Sequence, residues 1–295
     1  MMQLDILSDL HINAHLKHLD PSDAILTRLW ERLEPKGEVL LVAGDIGEIT
    51  LQNVNVLKRL KKLFHKEVVC VLGNHDLHGL NHRVIYLYDE NRELVEQKGW
   101  GDFRQKRDEA KVLYADAGIH LLDGDVIDLD GLKIGGAMGW YDGLYPKRHR
   151  ISLGKHKMFG YREYEDMQEL WNSCMPDDDI KPMRRFDGLL QEELSKIDGI
   201  VEHCDIMLSH INPSIDPVHQ DPRYKDDPSC GFYSFDGKGY TDRFNGTHWI
   251  FGHSHFCSRN SVARENKEPF ELISNTLGYP SENPRAFPKI MTLEV

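Results

Sequence analysis

Short apolar runs rich in β-branched residues alternate along the chain with stretches in which apolar side chains recur every three or four positions. The first pattern is typical of buried strands and the second of amphipathic helices, so together they predict an α/β fold. Continuous apolar runs, which suit strands buried on both faces, predict strands at 39–43, 68–72, 206–208 and 249–251. Periodic stripes predict helices at 21–34, 51–64 and 182–198.

A second sheet is indicated by the patterns in the middle and at the end of the chain. Two short apolar pieces at 126–129 and 133–136 predict a hairpin, and residues 241–295 contain further strand patterns. The sequence shows neither an internal repeat nor a linker-like stretch. We therefore expect a single domain over 1–295, with an insertion at about 141–200.

The composition is that of an acidic globular protein. Of the 295 residues 40% are hydrophobic and 28% charged, and 36 basic against 48 acidic residues give a formal charge of −12. Since Lys and Arg hold phosphate backbones, this balance argues against a broad surface for duplex nucleic acid. Five scattered cysteines are unlike a disulfide framework. Neither a membrane-spanning apolar run nor a signal-peptide pattern is present, so we expect a cytoplasmic protein without a membrane contact.

Polar clusters of metal-ligand residue types follow the four strands predicted from continuous apolar runs and a first strand that starts at Gln3. They are Asp9-Leu10-His11, Gly44-Asp45, Gly73-Asn74-His75-Asp76, Ser209-His210 and Gly252-His253-Ser254-His255. One such cluster is typical of a turn, but five in order, each after an apolar strand, favour a metal site. Because the donors are oxygen and imidazole without thiolate, the site suits Mn, Fe, Zn, Ni or Mg rather than a cysteine-based structural zinc.

In the identity and order of these residues the sequence resembles the calcineurin-like metallophosphoesterases. Gly139-Trp140 after Lys133 to Ala137, and the stretch Asn275 to Tyr279 with Pro280 and Glu282, resemble the small soluble bacterial and phage-type branch of that family. The resemblance implies a two-sheet β-sandwich flanked by helices, in four αββα layers, with two divalent metals at the strand ends. The first implied metal site consists of Asp9, His11 and His255. The second consists of Asn74, His210 and His253, and Asp45 is implied to bridge the two metals. Manganese is the metal that we expect first.

The charge of such a centre favours a phosphate ester as the substrate. Two divalent ions, two carboxylates and a bridging hydroxide together carry about +1, which attracts an anion. Paired metals also activate a shared water and clamp phosphoryl oxygens. We therefore expect hydrolysis of a phosphomonoester or phosphodiester by direct attack of the bridging hydroxide, with no covalent intermediate on Ser, Cys or Thr.

His75 is the expected catalytic residue rather than a metal ligand. Beside Asn74 it would be placed to donate a proton or hydrogen bond to the leaving group. In the related phosphoprotein phosphatases an Asp three residues beyond the bridging Asp partners this histidine. Glu48 occupies that position here, and the Arg that normally follows is absent, which counts against a protein phosphatase. Glu48 is therefore either the partner of His75 or an acid at a helix entry, and the role of Asp76 is open.

Two alternatives to this function remain. A nuclease of the same family is kept open by Tyr233 and Tyr240, whose rings are of the kind that stack on bases. A non-catalytic scaffold usually lacks ligands, whereas all seven expected ligand positions are present, which favours an enzyme. The segment 143–162 has six Lys or Arg and no Asp or Glu, so it either covers the site or is a solvated loop.

Overall fold

The computed structural model describes residues 2–16, 23–78, 84–88, 94–98, 102–152, 163–174, 185–282 and 289–295. The helices are α1 (Ile12–His15), α2 (Asp23–Leu33), α3 (Thr50–Leu63), α4 (Phe103–Asp116), α5 (Leu144–Arg148), α6 (Glu163–Cys174), α7 (Leu190–Ile200) and α8 (Lys238–Arg243). The strands up to the middle of the chain are β1 (Gln3–Leu7), β2 (Val39–Ala43), β3 (Glu67–Val71), β4 (Val84–Tyr88), β5 (Leu94–Lys98), β6 (His120–Leu121) and β7 (Asp125–Leu129). They are followed by β8 (Leu132–Gly136), β9 (Ile206–Leu208), β10 (His248–Phe251), β11 (Ser258–Arg264), β12 (Lys267–Ser274) and β13 (Met291–Glu294).

The first sheet has five strands in the order β13-β1-β2-β3-β6. β1, β2, β3 and β6 are parallel, whereas β13 is antiparallel to β1. All five residues of β2 are buried. Its uninterrupted apolar sequence is therefore that of a central strand covered on both faces.

The second sheet has six strands in the order β11-β12-β10-β9-β8-β7. The four central strands are parallel, and β7 and β11 complete the two edges as antiparallel partners. β4 and β5 pair only with each other among the described residues. The predicted second sheet is confirmed, and its antiparallel pair β7 and β8 is the predicted hairpin.

Three apolar clusters define the layers of the molecule. The first lies between the sheets and includes Leu41 and Ile250. The second, which includes Leu57 of α3, covers the outer face of the five-stranded sheet. The third, which includes Ile197 of α7, covers the outer face of the six-stranded sheet. The helix–sheet–sheet–helix sandwich is therefore confirmed, and no described helix has the length and apolarity that crossing a membrane requires.

The predicted strands and the helix predicted at 51–64 are confirmed to within one residue at each end. The helix predicted at 21–34 corresponds to α2, and the residues before Asp23 lie outside the described chain. The third predicted helix, at 182–198, is wrong at its start. Its strong apolar stripe continues into residues that the structure places in turns.

The turns that precede α7 have a local cause. The main-chain N–H of Gly188 donates to Arg185 O at 3.1 Å and that of Leu190 to Asp187 O at 3.1 Å, so this stretch has four-residue β-turns. The side chain of Arg185 also donates to the Asp187 carboxylate at 2.9 Å. Glycine lowers the helix propensity of this stretch, and the local ion pair supports the turn. As a result, the helix begins only at Leu190.

Part of the predicted insertion at about 141–200 belongs to the core of the described molecule. Met167 and Trp171 of α6 are buried in the outer cluster of the six-stranded sheet. Residues 153–162 and 175–184 lie outside the described chain. The single domain with an insertion therefore stays a prediction.

The carboxyl ends of the parallel strands in both sheets meet at one edge of the sandwich. Just beyond β1 and β12, Ser8 and Thr276 form a parallel bridge that joins the two sheets. His210, which follows β9, donates from Nδ1 to the carbonyl oxygen of Ala43 at the end of β2 (2.9 Å). The polar clusters that follow the strands are therefore brought together by the sheet topology.

Replacing Leu41 with Ala should lower the free energy of unfolding by about 2–5 kcal/mol, because this side chain is fully buried between the sheets and its removal leaves a cavity. Leu63→Ala is the matched control, since Leu63 is 40% exposed and its loss should cost less than about 1 kcal/mol. Chemical denaturation measures both values. Equal losses would show that Leu41 does not belong to a tightly packed core.

Candidate metal centre

The residues that follow the strands have a strained backbone. Nine non-glycine residues of the described chain have a positive φ angle, and five of these are predicted metal ligands. The five are Asp9, His11, Asp45, His253 and His255, with φ between 38° and 70°. Such conformations cost about 1–3 kcal/mol each and concentrate at functional sites. The tertiary structure therefore holds these polar residues in a conformation that they would not adopt alone.

A first ligand group consists of Asp9, His11, Asp45 and His255, each with one ligand atom within 4.8 Å of the others. His11 Nε2 lies 3.0 Å from His255 Nε2 and 3.8 Å from Asp45 Oδ2. His255 Nε2 lies 3.5 Å from Asp9 Oδ1. Asp9, His11 and Asp45 are almost completely buried, so nitrogen and oxygen donors converge where little water reaches them.

A second ligand group consists of Asp45, His210 and His253. His210 Nε2 lies 3.3 Å from Asp45 Oδ2 and 3.1 Å from Asn74 Oδ1, so Asn74 adjoins this group. The structure thus brings all seven predicted ligands together, and the two groups share Asp45. How the ligands divide between two ions stays a prediction.

Main-chain carbonyl groups orient two of the histidines. His210 donates from Nδ1 to Ala43 O, which leaves Nε2 facing Asp45. His253 donates from Nε2 to Phe232 O at 2.9 Å, which leaves Nδ1 as the available ligand atom. A hydrogen bond at one ring nitrogen fixes the tautomer and directs the lone pair of the other.

Glu282 orients the third histidine. Its Oε2 lies 2.7 Å from His255 Nδ1 and also accepts from the main-chain N–H of Tyr279 at 2.8 Å. His255 therefore presents Nε2 to the first ligand group. Sequence reasoning assigned no role to Glu282, which lies 27 residues after His255 and outside the polar clusters.

Two glycines of the clusters are required by close packing against ligands. Gly44 has φ +81°, and a Cβ there would collide with the imidazole of His210. A Cβ at Gly73 would collide with the carboxylate of Asp45. Any larger residue at either position would displace a ligand, which explains why glycine accompanies the ligands in the sequence.

The ligand histidines differ in protonation. Burial lowers the pKa of His11 to about 4 and that of His253 to about 3, so both imidazoles are neutral, which is the form that binds metal. Burial opposes the charged form of His210 as well, but the carboxylates of Asp45 and Asp9 outweigh it and raise its pKa to about 9. In the metal-free protein a proton on His210 thus balances part of the buried negative charge.

His75 lies beside both ligand groups without belonging to either. Its ring centroid is 4.9 Å from that of His11, and its main-chain N–H donates to Asp45 Oδ1 at 2.9 Å. Its Nδ1 lies 3.4 Å from Glu48 Oε1, so the structure favours Glu48 as the partner of His75 over the solvated helix-entry acid. Burial opposes the imidazolium form, but Asp45 and Glu48 outweigh it and raise the pKa of His75 above its usual value.

Tyr279 is a site residue that sequence reasoning missed. Its ring stacks on His11 with centroids 4.1 Å apart, and its hydroxyl lies 3.3 Å from His75 Nε2. Burial raises the pKa of Tyr279 well above its usual value, so the hydroxyl stays protonated. The available signals were the resemblance of the stretch Asn275 to Tyr279 to the tail of the small soluble branch and its place just beyond a buried strand that ends at Ser274.

Asp76 has a structural role. It is buried and accepts from the main-chain N–H groups of Gly73 (2.8 Å) and Gly47 (3.1 Å) and from Asn53 Nδ2 (3.2 Å). Burial and the nearby Asp45 raise its pKa to about 6. Asp76 thus holds the loops after β2 and β3 together and belongs to neither ligand group.

Lys106 was also missed, because a lysine in a helical pattern usually faces water. Its side chain is completely buried and donates from Nζ to Glu48 O at 2.8 Å and to His78 O at 2.6 Å. Two segments that carry site residues are therefore tied to α4.

The basic segment is only partly described. Lys147, Arg148 and Arg150 are exposed, and Arg148 pairs with Asp236 at 3.1 Å. Lys155, Lys157 and Arg162 lie outside the described residues. Whether the segment 143–162 covers the site stays a prediction.

The comparisons with known proteins agree with this geometry. The sequence model of calcineurin-like phosphoesterases matches residues 2–257. The chain belongs to the calcineurin-like phosphoesterase family. The solved structure of the phosphopantetheinyl hydrolase from Mycobacterium tuberculosis has a similar fold, with a TM-score of 0.63 over 98% of this chain and 95% of that one, at 17% sequence identity. No protein with a curated description matches the sequence.

The family uses divalent metals to act on phosphate esters, and this chain has His and Asp groups that could hold such ions. The donors of both groups are carboxylate oxygen and imidazole nitrogen, and the amide oxygen of Asn74 adjoins the second group. Several divalent metals accept such ligands, so the geometry suits the class of ion without selecting one member.

We expect the purified protein to bind about two manganese ions per chain, because its two ligand groups converge on Asp45. Asp45→Ala should weaken both sites, and His253→Ala should leave about one ion. His75→Ala is the control and should retain two, since His75 belongs to neither group. Elemental analysis after gel filtration measures the ratio, and saturation of the wild type at one ion or none would overturn the binuclear prediction.

Proposed function

We propose that the chain is a binuclear, metal-dependent phosphoric ester hydrolase that cleaves a phosphomonoester or phosphodiester by direct attack of water. The observation that carries the proposal is the pair of ligand groups that share Asp45, with the imidazole of His75 beside them. A single carboxylate that faces both groups is suited to bridging two cations. Manganese is our first expectation for these cations, with Fe, Zn, Ni and Mg as alternatives.

The donor set supports this proposal. Asp9 and Asp45 are buried carboxylates, and three of the surrounding histidines have one ring nitrogen held by a carbonyl or carboxylate and the other directed to the ligand groups. When bound, two divalent cations lower the pKa of a shared water toward neutrality and offset negative charge on the phosphoryl oxygens. The protein's contribution is to hold these donors at the edge of the sandwich, where the carboxyl ends of strands from both sheets meet.

His75 acts as the proton donor to the leaving group in this proposal. The carboxylate of Glu48 faces Nδ1 and supports the imidazolium form, which leaves the N–H at Nε2 for the leaving oxygen. The main-chain hydrogen bond from His75 to Asp45 holds this imidazole at a fixed position beside the ligand groups. No serine, cysteine or threonine is required for a covalent step.

Tyr279 limits the movement of both neighbouring imidazoles. Stacking on His11 restrains that ring, and the hydroxyl lies within hydrogen-bond distance of His75 Nε2 in the absence of substrate. We propose that the leaving group displaces this hydroxyl from His75. Tyr279 then remains as a wall of the substrate site.

The substrate class within phosphate esters is open to a direct screen. The acidic net charge argues against duplex nucleic acid. Of the two aromatic residues that keep a nuclease possible, the ring of Tyr233 lies 5.4 Å from that of His253, whereas Tyr240 packs near Phe235. One stacking platform is therefore at the site. Since the structural neighbour is named for a phosphopantetheinyl substrate, a phosphopantetheinyl ester belongs in the screen together with aryl phosphates and nucleotides.

The cellular compartment follows from the thiol chemistry in this proposal. All five cysteines lie in the described residues and are free. Free thiols persist where glutathione and thioredoxin keep them reduced. We propose a cytoplasmic enzyme.

The proposed hydrolysis is tested with purified protein, an aryl phosphomonoester and an aryl phosphodiester. Activity should disappear after chelation and return on addition of manganese, because the nucleophile depends on the cations. Asp45→Asn is the inactive control, and it should stay inactive with manganese present. Activity that survives full metal removal would refute the mechanism, and a folded, metal-loaded protein inert on the whole panel would favour the scaffold.

His75→Ala should lower kcat by about 10²–10⁴-fold with little change in metal content, because a general acid acts in the transition state. The loss should shrink for esters with good leaving groups, which need little protonation. His120→Ala is the matched control, since His120 also faces a glutamate, Glu67, at 3.3 Å but lies on the strand β6, outside both ligand groups. An equal loss for good and poor leaving groups would contradict the acid role of His75.

A further inference from the structure

A third cluster of metal-ligand atoms lies next to the proposed binuclear centre. Glu48, His75 and His78 each offer one ligand atom, and the three atoms lie within 4.8 Å of one another. It shares no residue with the two ligand groups. One carboxylate and two imidazoles form a donor set that binds zinc and other borderline divalent cations.

The local chain geometry places these three donors on one side. His75 is the first residue of a single 3₁₀ turn (His75–Leu77), and His78 directly follows that turn. The main-chain N–H of His78 donates to His75 O at 3.1 Å. Residues three apart in such a turn project in nearly the same direction. Their ring centroids are accordingly 4.2 Å apart, and Glu48 Oε1 lies 3.4 Å from His75 Nδ1.

The solvent exposure of the three side chains decreases from the surface inward. The side chains of Glu48 and His75 are 34% and 24% exposed, whereas His78 is 4% exposed. An ion can therefore approach Glu48 and His75 from solvent and find His78 behind them. Only small rotations of the side chains are needed, because the ligand atoms already lie within a few ångströms of one another.

The buried side chain of Lys106 helps to fix the position of the cluster. By donating to the carbonyl oxygens of Glu48 and His78, its ammonium group fixes the two backbone segments that carry these ligands. Its charge opposes a cation, and so does the net positive charge of a loaded binuclear centre. The carboxylate of Glu48 offsets part of this repulsion. The ion in this cluster should therefore bind last and most weakly.

We propose that Glu48, His75 and His78 form a third, inhibitory divalent-cation site, for which Zn²⁺ is the best-suited ion. The binding itself is independent of the proposed function, and only its inhibitory effect rests on it. The ion takes the Nδ1 lone pair of His75 and the carboxylate of Glu48. The ion thereby replaces the contact between Glu48 Oε1 and His75 Nδ1 and fixes the imidazole as a ligand, so that His75 no longer has the partner that its proposed role requires.

The test counts total metal per chain in protein that has been loaded with manganese and then equilibrated with excess Zn²⁺ by dialysis. Wild type should bind one more ion per chain than His78→Gln. This difference in total metal does not depend on how much manganese in the binuclear centre is exchanged for zinc. His248→Gln is the matched control, because His248 faces Glu271 at 3.3 Å but begins β10, at the end of the strand opposite to His253 and His255. It should bind as many ions as wild type.

Inhibition by Zn²⁺ is measured in parallel on an aryl phosphate. Loss of one direct ligand should raise the inhibitory zinc concentration by about tenfold or more in His78→Gln and leave it unchanged in His248→Gln. If His78→Gln does not fold, Glu48→Gln gives the same comparison of metal counts. Equal counts in wild type and variant would overturn the proposal. If His78→Gln lacks the ion but zinc still inhibits it, the site stands and its inhibitory role is refuted. If wild type binds the third ion but is inactive, the site stands although the proposed function has failed.

Discussion

The buried carboxylate of Asp45 is the point on which both ligand groups depend. It is 1% exposed and lies 3.8 Å from His11, 3.3 Å from His210 and 2.9 Å from the main-chain nitrogen of His75. Burial alone would raise its pKa, yet His210 and the other surrounding histidines hold the pKa well below its usual value. A charge in this position must be balanced by donors or cations. The arrangement of the neighbouring imidazoles follows from that requirement.

The surrounding architecture supplies the force that maintains this arrangement. Five ligand residues have a positive φ angle, which costs free energy. The buried carboxylates and histidines offset little of that cost by themselves. Two sheets with an apolar cluster between them hold the strand ends in place. A cation that binds only the folded state would add stability in proportion to the logarithm of its concentration. The apolar core thus stabilises a site whose local conformation is unfavourable until a cation binds.

The sequence predicted that these polar residues would meet, because they obey a general rule of sheet topology. Parallel strands place their carboxyl ends at one edge, so Asp9, Asp45 and His210 could be grouped from their order after apolar runs alone. Tyr279 and His75 are 204 residues apart, and no local pattern shows that the chain returns to stack a ring there. Lys106 is equally hidden, since only the tertiary structure shows that its charge meets two carbonyl groups. The start of α7 was predicted too early, because apolar side chains keep the helical spacing before Leu190 whereas the backbone there forms turns.

Asp9 accepts a hydrogen bond from the main chain of His253, 244 residues later in the sequence, and β1 pairs with β13 along Gln3 to Ile6. A ribosome that adds about 5–20 residues per second therefore completes the β1 edge only after many seconds. During that time the nascent chain carries an apolar first strand with one unpaired side, which exposes it to chaperones and to wrong partners. Long-range pairings of this kind also slow folding, because the loop must close before any contact is gained. The β1 edge and the site can therefore assemble only after the chain has been synthesised through His253 and β13.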